Sequence, residues 1–424
     1  MPKFTFEDAA NGKLSAAQTI TVYDDDRKPL VLGAQQQLGR TGAGGSVYEI
    51  PKAPDYCVKL FKPQDLANQT KRKHIVSGLE AMLEMPECAR NPHLAWPLGL
   101  IYDKDRAVIG YAMRRIPKEY VTFKSLFYGP KSVMRCFPNW GRKELALTAL
   151  NFVRTVLYLE RHGGVRPADF NPENFMVGSN CEVMFLDCDS FFFYERNGKS
   201  HASDMLVSDY AAPEILRNPK IAKQERTVEQ TRFSAAVLAF MLVMTGQHPY
   251  SFVEANDGTT TGTPAENILA GNCPLGRGAG CKQAPAWYAM WSWLSGALQA
   301  AFIATFRDGH SNPSARTTLE DLAHALGGFV FVCDRAPERN ELMPKEPKRS
   351  TPRNPNGQGS YFAPVGNPRP GSRAPVGFAA RPRAQRPYQA GQFAPHPYGQ
   401  RPYPRGNRPQ NSRFNGYRPF GGGH

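Results

Sequence analysis

Long apolar runs are missing from this chain, and that narrows what it can be. The longest, FSAAVLAFMLVM at 233–244, falls far short of the roughly 20 residues that cross a bilayer and reads instead as a buried helix. The N-terminus, MPKFTFEDAANGKLSAAQTI, lacks the apolar centre of a signal peptide. A soluble, cytoplasmic protein with no membrane contact is therefore expected. Close cysteine pairs are missing too. The eight cysteines stand at 57, 88, 136, 181, 188, 273, 281 and 333, with no two at the short spacing of zinc knuckles. A chain of 424 residues also has no need of disulfide staples, so free thiols in a reducing compartment are expected. Finally, acids are nearly absent from one end. From Pro344 to His424 there are 14 Lys or Arg against the single acid Glu346, a net +13 of the whole chain's +15. Residues 1–343 are thus close to neutral, about +2, and the basic character belongs to a tail.

What is present falls into blocks. Residues 19–62 read as extended segments: TITVYD alternates, VYEI and CVKLF are β-rich, and Gly or Pro turns separate them. Residues 64–85 have helical spacing at Ile75, Leu79, Met82 and Leu83. RAVIGYAMRRI at 106–116 returns to strand. From KELALTALNFVRTVLYLERHG at 143–163 onward the chain reads as mostly helical, with short strands at NFMV and VMFLD. The expected class is α+β, a small β-rich part followed by a larger helical one. The blocks are an N-terminal extension 1–18, then 19–117, 118–343 and the tail 344–424. The tail is built from Pro, Gly, Arg, Asn, Gln, Tyr and Phe, with near-repeats QRPYQ at 385–389 and QRPYP at 400–404. With almost no aliphatic residues to bury, it cannot offset the entropy of ordering its backbone and should be disordered in isolation.

The first candidate site is LGRTGAGGSVYEI at 38–50. Glycines at 39, 42, 44 and 45 would let backbone amides approach phosphate oxygens. Gly39, Gly44 and Ser46 fit part of a P-loop frame, but Gly45 stands where its lysine belongs and SVYEI is strand-like rather than helical. Gly42, Gly45 and Val47 instead keep a G-x-x-G-x-V spacing over a strand, with Gly39 displaced by one residue. Fourteen residues after Gly45, Lys59 lies in CVKLF, and strand alternation turns it to the face opposite Val58 and Leu60. A lysine held over nucleotide phosphates needs a carboxylate from the following helix. Glu80 and Glu84 share a helix face, and distance from Lys59 favours Glu80.

The second site is VRPADFNPENFMV at 165–177, where Asp169 and Asn174 stand five residues apart, followed by Asp187 thirteen residues on in VMFLDCDSF. Each of these could be an ordinary turn residue. In this order, together with Lys59, they resemble a protein kinase: the D-x-x-P-x-N catalytic loop, then the metal-binding Asp after a short strand. The resemblance implies a bilobal kinase fold with ATP and Mg²⁺, or Mn²⁺, as cofactors. It implies Asp169 as catalytic base, Asn174 and Asp187 on the metal, and Lys59 on the nucleotide phosphates. The nucleotide set is then Gly39, Gly42, Gly44, Gly45, Val47, Lys59, Glu80 and Met113. Asp189 adds a second carboxylate beside Asp187; either could lead on the metal, and spacing favours Asp187.

The likeness extends to about 300 residues. AAPEIL carries Ala212, Pro213 and Glu214 in the place of A-P-E, and FRDGHSNPSART places Arg316 to form a buried pair with Glu214. FNPENFMV, FLDCDSF and TGQHPY are similar to bacterial eukaryotic-like Ser/Thr kinases often encoded beside a PP2C-type phosphatase and a von Willebrand A protein, including tellurite-resistance neighbourhoods. Protein substrates and those two partners follow from the resemblance. The departures carry meaning as well. Pro167-Ala168 replaces His-Arg before Asp169, which removes the usual arginine partner of an activation-loop phosphate. Asn171 replaces the loop lysine, Asp189 the glycine of D-F-G, Thr231 the aspartate that braces the loop, and Val207 a threonine of the substrate-binding segment. The tail's Arg interleaved with Tyr, Phe and Gly suits phosphate contacts and stacking on unpaired bases, so RNA, DNA or an acidic partner is a candidate ligand. The remaining alternatives are a nucleotide-binding pseudokinase that signals by conformation and a scaffold acting through this tail.

Overall fold

Buried and exposed residues alternate along TITVY, which makes β1 (Thr19–Tyr23) a half-buried strand that pairs antiparallel with β2 (Pro29–Gly33). The turn between them is closed by Asp24, whose carboxylate accepts the Lys28 amide at 2.7 Å. The computed structural model describes residues 19–344 apart from 40, 43, 196, 203–205, 222–224, 256, 257, 259, 277 and 278. The expected extension 1–18 and all but the first residue of the expected tail lie outside the described residues. Strands β3 (Gln37–Leu38), β4 (Gly45–Ile50), β5 (Ala53–Phe61), β6 (Gly99–Tyr102) and β7 (Val108–Arg114) complete an antiparallel sheet in the order β2-β1-β6-β7-β5-β4-β3. The glycine-rich loop therefore opens a strand, not a helix, which excludes the P-loop geometry. β5 lies between β7 and β4 and is buried from Cys57 through Phe61, on both faces. Val22, Leu32, Tyr48, Val58, Leu60, Ile101 and Tyr111 form the sheet's own apolar cluster.

Helix α1 (Gln69–Leu83) starts at Asn68, whose side chain accepts the Lys71 amide at 3.0 Å, and buries Leu79 and Met82. Beyond the sheet, three long helices carry a second cluster. α2 (Arg142–Gly163) ends at Gly164, which adopts the left-handed conformation a helix stop favours. α3 (Val228–Val243) is capped by the Thr227–Gln230 box, and every residue from Phe233 to Val243 is buried. This is the buried helix that its unbroken apolar run foretold. α4 (Leu319–Arg335) packs against α2 through Leu322, Leu326 and Phe329. The chain is thus mixed α and β, with strands gathered first and helices after.

A small three-stranded sheet links the helical core to the loop of Asp169: β8 (Val121–Thr122), β9 (Phe175–Val177) and β10 (Val183–Phe185), ordered β10-β9-β8. Beneath it, Phe123, Phe152, Phe175 and Phe185 form a ring cluster with edge-on contacts at 4.9 Å for Phe152–Phe175 and Phe175–Phe185. Such pairs contribute about 0.5–1.5 kcal/mol each beyond area burial. A hairpin of β11 (Phe193–Tyr194) and β12 (Ser200–His201) follows. It was not anticipated, because two-residue strands carry no periodic signal. Glu214 and Arg316 form the expected pair, doubly bonded at 2.7 Å, with Arg316 only 2% exposed. All eight cysteines are free, and burial pushes thiols such as Cys57 up, to about 12, which makes them unreactive. Among the described residues, no helix is long and apolar enough to cross a membrane.

Candidate active site

Two segments far apart in the sequence meet at Lys59. From β5 its side chain enters the space below the glycine loop, 5% exposed, with Val47 opposite it in the β4–β5 register. Nζ lies 3.1 Å from Asp187 Oδ1 and 2.8 and 3.0 Å from the two oxygens of Asp189. Burial alone would push the lysine's pKa down, but the charges of Asp187 and Asp189 outweigh it and hold the ammonium above its ordinary value. Gly44 sits over this ammonium: a Cβ there would stand 3.4 Å from Nζ. Gly45, by contrast, is required by the sheet. Its φ is +143°, and a Cβ would come within 1.9 Å of the Leu60 carbonyl oxygen. Gly42 donates its amide to the Gly45 carbonyl at 2.9 Å, and Gly39 takes φ +68°. Met113 is buried on β7 opposite Cys57, on the strand next to Lys59.

Asp187 follows β10 and adopts φ 49°, ψ 39°, a left-handed conformation uncommon outside glycine. The strain is held by the next turn: the Ser190 amide and hydroxyl both donate to the Asp187 carbonyl, at 3.0 and 2.8 Å. The Leu186 amide donates to the Asn174 carbonyl at 2.8 Å, which ties this turn to the loop of Asp169.

Within that loop, Asn171 accepts the Glu173 amide at 3.0 Å and starts the turn Pro172–Asn174. Asn174 Nδ2 donates to Asp169 Oδ2 at 3.0 Å. A carboxylate only accepts, so the amide must present its N–H there and keep its oxygen for another partner. Burial raises the pKa of Asp169, the Asn174 bond and the Asn171 amide oppose the rise, Asp187 adds to it and Arg226 opposes it. Asp169 Oδ1 is buried with no hydrogen-bond partner among the described residues.

The position of Glu80 corrects the expected lysine partner. Glu80 is exposed on α1, on a groove with Gln69, Arg72 and Arg106, and the ion pairs of Lys59 go to Asp187 and Asp189 instead. Glu84 is exposed at the end of α1 and makes no ion pair with Lys59 either. The buried face of α1 is apolar, so neither glutamate can turn inward without exposing Leu79 and Met82.

Two participants escaped the sequence reading. Tyr111 donates its hydroxyl to Asp189 Oδ1 at 2.7 Å, from a strand position that reads as plain core. Arg226 is buried beside Asp169, and burial lowers its own pKa to about 10. It lies 57 positions beyond Asp169 and no local pattern marks it. Thr231 does not reach the loop: its hydroxyl donates to the Thr227 carbonyl at 3.1 Å, one turn back. A small cavity lined by Pro167, Ala168, Val207 and Thr231 remains there. The loop is tied to this region by Arg166 instead, whose Nη1 donates to the Arg226 carbonyl at 3.0 Å.

Hard oxygen donors, the Asn174 amide oxygen and the Asp187 carboxylate, lie on adjoining turns joined by the bond from the Leu186 amide to the Asn174 carbonyl. This set suits Mg²⁺, which keeps several waters and takes one or two carboxylates with substrate phosphates. Among the described residues, no group of three or more His, Cys, Asp or Glu gathers into a denser cage, as a softer or more demanding metal would need.

A buried lysine on a sheet, paired with an aspartate near an Asp–Asn loop, resembles the arrangement that nucleotide-dependent phosphotransfer sites use. The sequence is similar to protein kinase YegI of Escherichia coli strain K12, 29% identical over 237 residues that cover 55% of this chain and 34% of that protein. It is similarly 29% identical over 221 residues to protein kinase YegI of Escherichia coli O157:H7, covering 51% of this chain and 32% of that one. The matched part spans about a third of the length of these curated relatives. No family model matches the chain. The two similarities support a relationship to protein kinases.

Proposed function

We propose that this chain is a protein-kinase-like phosphotransferase that moves the γ-phosphoryl group of ATP, with Mg²⁺ or Mn²⁺, to Ser or Thr hydroxyls of protein substrates, itself included. On this reading 19–117 and 118–343 are the two lobes of a bilobal kinase fold, with the nucleotide between them. The observation that supports it is the Asp169–Asn174 bond on a loop tied by the Leu186 amide to the turn of Asp187, whose carboxylate pairs with Lys59 from 128 positions away. The resemblance alone brings a PP2C-type phosphatase and a von Willebrand A protein as partners, and the tail is proposed as a site for RNA, DNA or an acidic partner.

In the reaction, Asp169 accepts the proton of the substrate hydroxyl as its oxygen bonds to the γ-phosphorus; the bond from that phosphorus to the bridging oxygen breaks and ADP departs. The unpartnered Asp169 Oδ1 is the acceptor, and its raised pKa brings its basicity closer to the working pH. Asn174 holds Oδ2 and fixes the orientation of the carboxylate. Lys59 holds the nucleotide's phosphates, with Gly44 admitting them over the ammonium. Asn174 and Asp187 would hold the divalent cation, which supplies charge neutralisation between the phosphates.

The direct experiment is transfer of labelled γ-phosphate to the protein or a generic substrate, comparing wild type with Asp169→Ala and Asp187→Ala. Both substitutions should abolish transfer, and activity surviving both rejects the site. A second reading, a nucleotide-binding protein that signals by conformation, is favoured by the Thr231 hydroxyl turning back on its own helix. It expects Mg²⁺-dependent nucleotide binding with no transfer.

A further inference from the structure

A lysine as buried as Lys59 keeps its charge only beside a carboxylate. Helix α1 does not supply one: it buries Leu79 and Met82, while Glu80 and Glu84 are exposed. The carboxylate comes from the turn after β10. Asp189 places both oxygens on Nζ, at 2.8 and 3.0 Å, and one of them also accepts the Tyr111 hydroxyl at 2.7 Å. Its neighbour on the same turn behaves differently. Asp187 gives Lys59 only Oδ1, at 3.1 Å, and its side chain is 48% exposed against 16% for Asp189. The two aspartates thus divide the work. Protein donors occupy both oxygens of Asp189, whereas Asp187 accepts Lys59 on one oxygen and is half exposed.

We propose that Asp189 is the positioning residue for Lys59, held in turn by Tyr111, that it takes the place of a helix carboxylate, and that it is not a ligand of the divalent cation. The consequence for nucleotide binding rests on the phosphotransfer reading above. One short turn, Asp187 to Ser190, then sets both the lysine and the cation-binding carboxylate. On this reading the lysine's pairing is complete without an ion pair to α1, although that helix packs against the turn that carries Asp189.

The test measures ATP affinity with Mg²⁺ and with EDTA in the full chain. Asp189→Asn should lose about tenfold in both conditions, as expected for one charge-assisted anchor. Tyr111→Phe should lose less, in the same pattern. Lys59→Met should lose affinity in both conditions, and adding Asp189→Asn to it should cost nothing more, because the two act through one contact. Asp187→Asn should lose more affinity with Mg²⁺ than with EDTA, where only its single contact with Lys59 is missed. A loss in Asp189→Asn confined to Mg²⁺ would make Asp189 a metal ligand and overturn the proposal. Acylation of Lys59 by a small amine-reactive ester, followed by mass spectrometry, reads the pairing without any nucleotide. Asp189→Asn should speed it several-fold and Glu80→Gln should not; the reverse pattern also overturns the proposal. Wild type that binds no ATP, with Lys59 freed by Asp189→Asn, would reject the phosphotransfer reading and leave the pairing standing.

Discussion

Asn174 donates its amide N–H to one oxygen of Asp169 at 3.0 Å, while the other oxygen of that carboxylate is buried with no hydrogen-bond partner among the described residues. The bond stabilises the ionised form, and burial opposes it and wins. Asn174→Ala should therefore raise the pKa of Asp169 further and move the acid limb of the kcat/KM profile to higher pH. The linked effect on stability has a definite sign. A carboxyl group whose folded pKa lies above its unfolded one costs stability as pH rises from the ordinary carboxylate range through the folded value. Asp169→Asn should accordingly melt higher than wild type at pH 7, with the difference vanishing below the ordinary carboxylate range. Equal melting temperatures at both pH values would refute the strained carboxylate.

Gly45 lies where β4 crosses close to β5, and its Cβ would meet the Leu60 carbonyl at 1.9 Å. Gly45→Ala should destabilise the fold by more than about 1 kcal/mol in urea unfolding, with a parallel loss of ATP affinity as Lys59 shifts with β5. Gly39→Ala, with nothing within 4 Å of the added carbon, meets only the strain of its φ of +68° and should cost less.

Arg316 reaches Glu214 through two bonds of 2.7 Å and also donates to the carbonyls of Gly309 and Glu229, both at 2.9 Å. Glu214→Ala strands a buried guanidinium and should cost roughly 3–5 kcal/mol in chemical unfolding. Because these bonds of Arg316 and Glu214 include none to Lys59, Asp169 or Asp187, the folded fraction at low temperature should keep its KM for ATP.

His248 is buried in its neutral form, donating Nε2–H to the Asp209 carbonyl at 2.8 Å while Nδ1 accepts the Tyr250 amide at 3.2 Å. Burial pushes its pKa down to about 4. Unfolding lets it take a proton, so stability is lost as pH falls from the ordinary histidine value of about 6.5 toward 4. Urea midpoints at pH 7 and pH 5 should fall less in His248→Gln than in wild type. An equal fall in both would exclude this histidine.

The basic segment 344–424 should bind single-stranded RNA or DNA with affinity that falls steeply with salt. Deleting it should remove that binding and leave ATP affinity unchanged. Salt-sensitive binding retained by the truncated chain would place the nucleic-acid surface elsewhere.

Much of the architecture was legible because it repeats locally. Alternation in TITVY marked β1, three-to-four spacing marked α1, and the unbroken run 233–244 marked the buried α3. The hairpin β11–β12 was not legible, since two-residue strands are defined by their pairing rather than by any pattern along the chain. In the candidate site, Asp169, Asn174, Asp187 and Lys59 stood out as residue types at kinase spacing. The same local logic pointed to Glu80, and there it failed: helical spacing says which residues share a face, not which face turns inward once Leu79 and Met82 are buried.

The sequence by itself determined the order of strands and helices, the buried central helix, the basic tail and the four polar residues of the cleft. These follow from periodicity, charge and spacing, which are properties of neighbouring residues. Only the tertiary structure decided which carboxylate holds Lys59. Asp189 reaches it from 130 positions away because the turn after β10 and the strand β5 are brought together by two separate cores. It also decided that Tyr111 and Arg226 belong to the site. A buried charge selects its partner by distance in space, and no short stretch of chain records that distance.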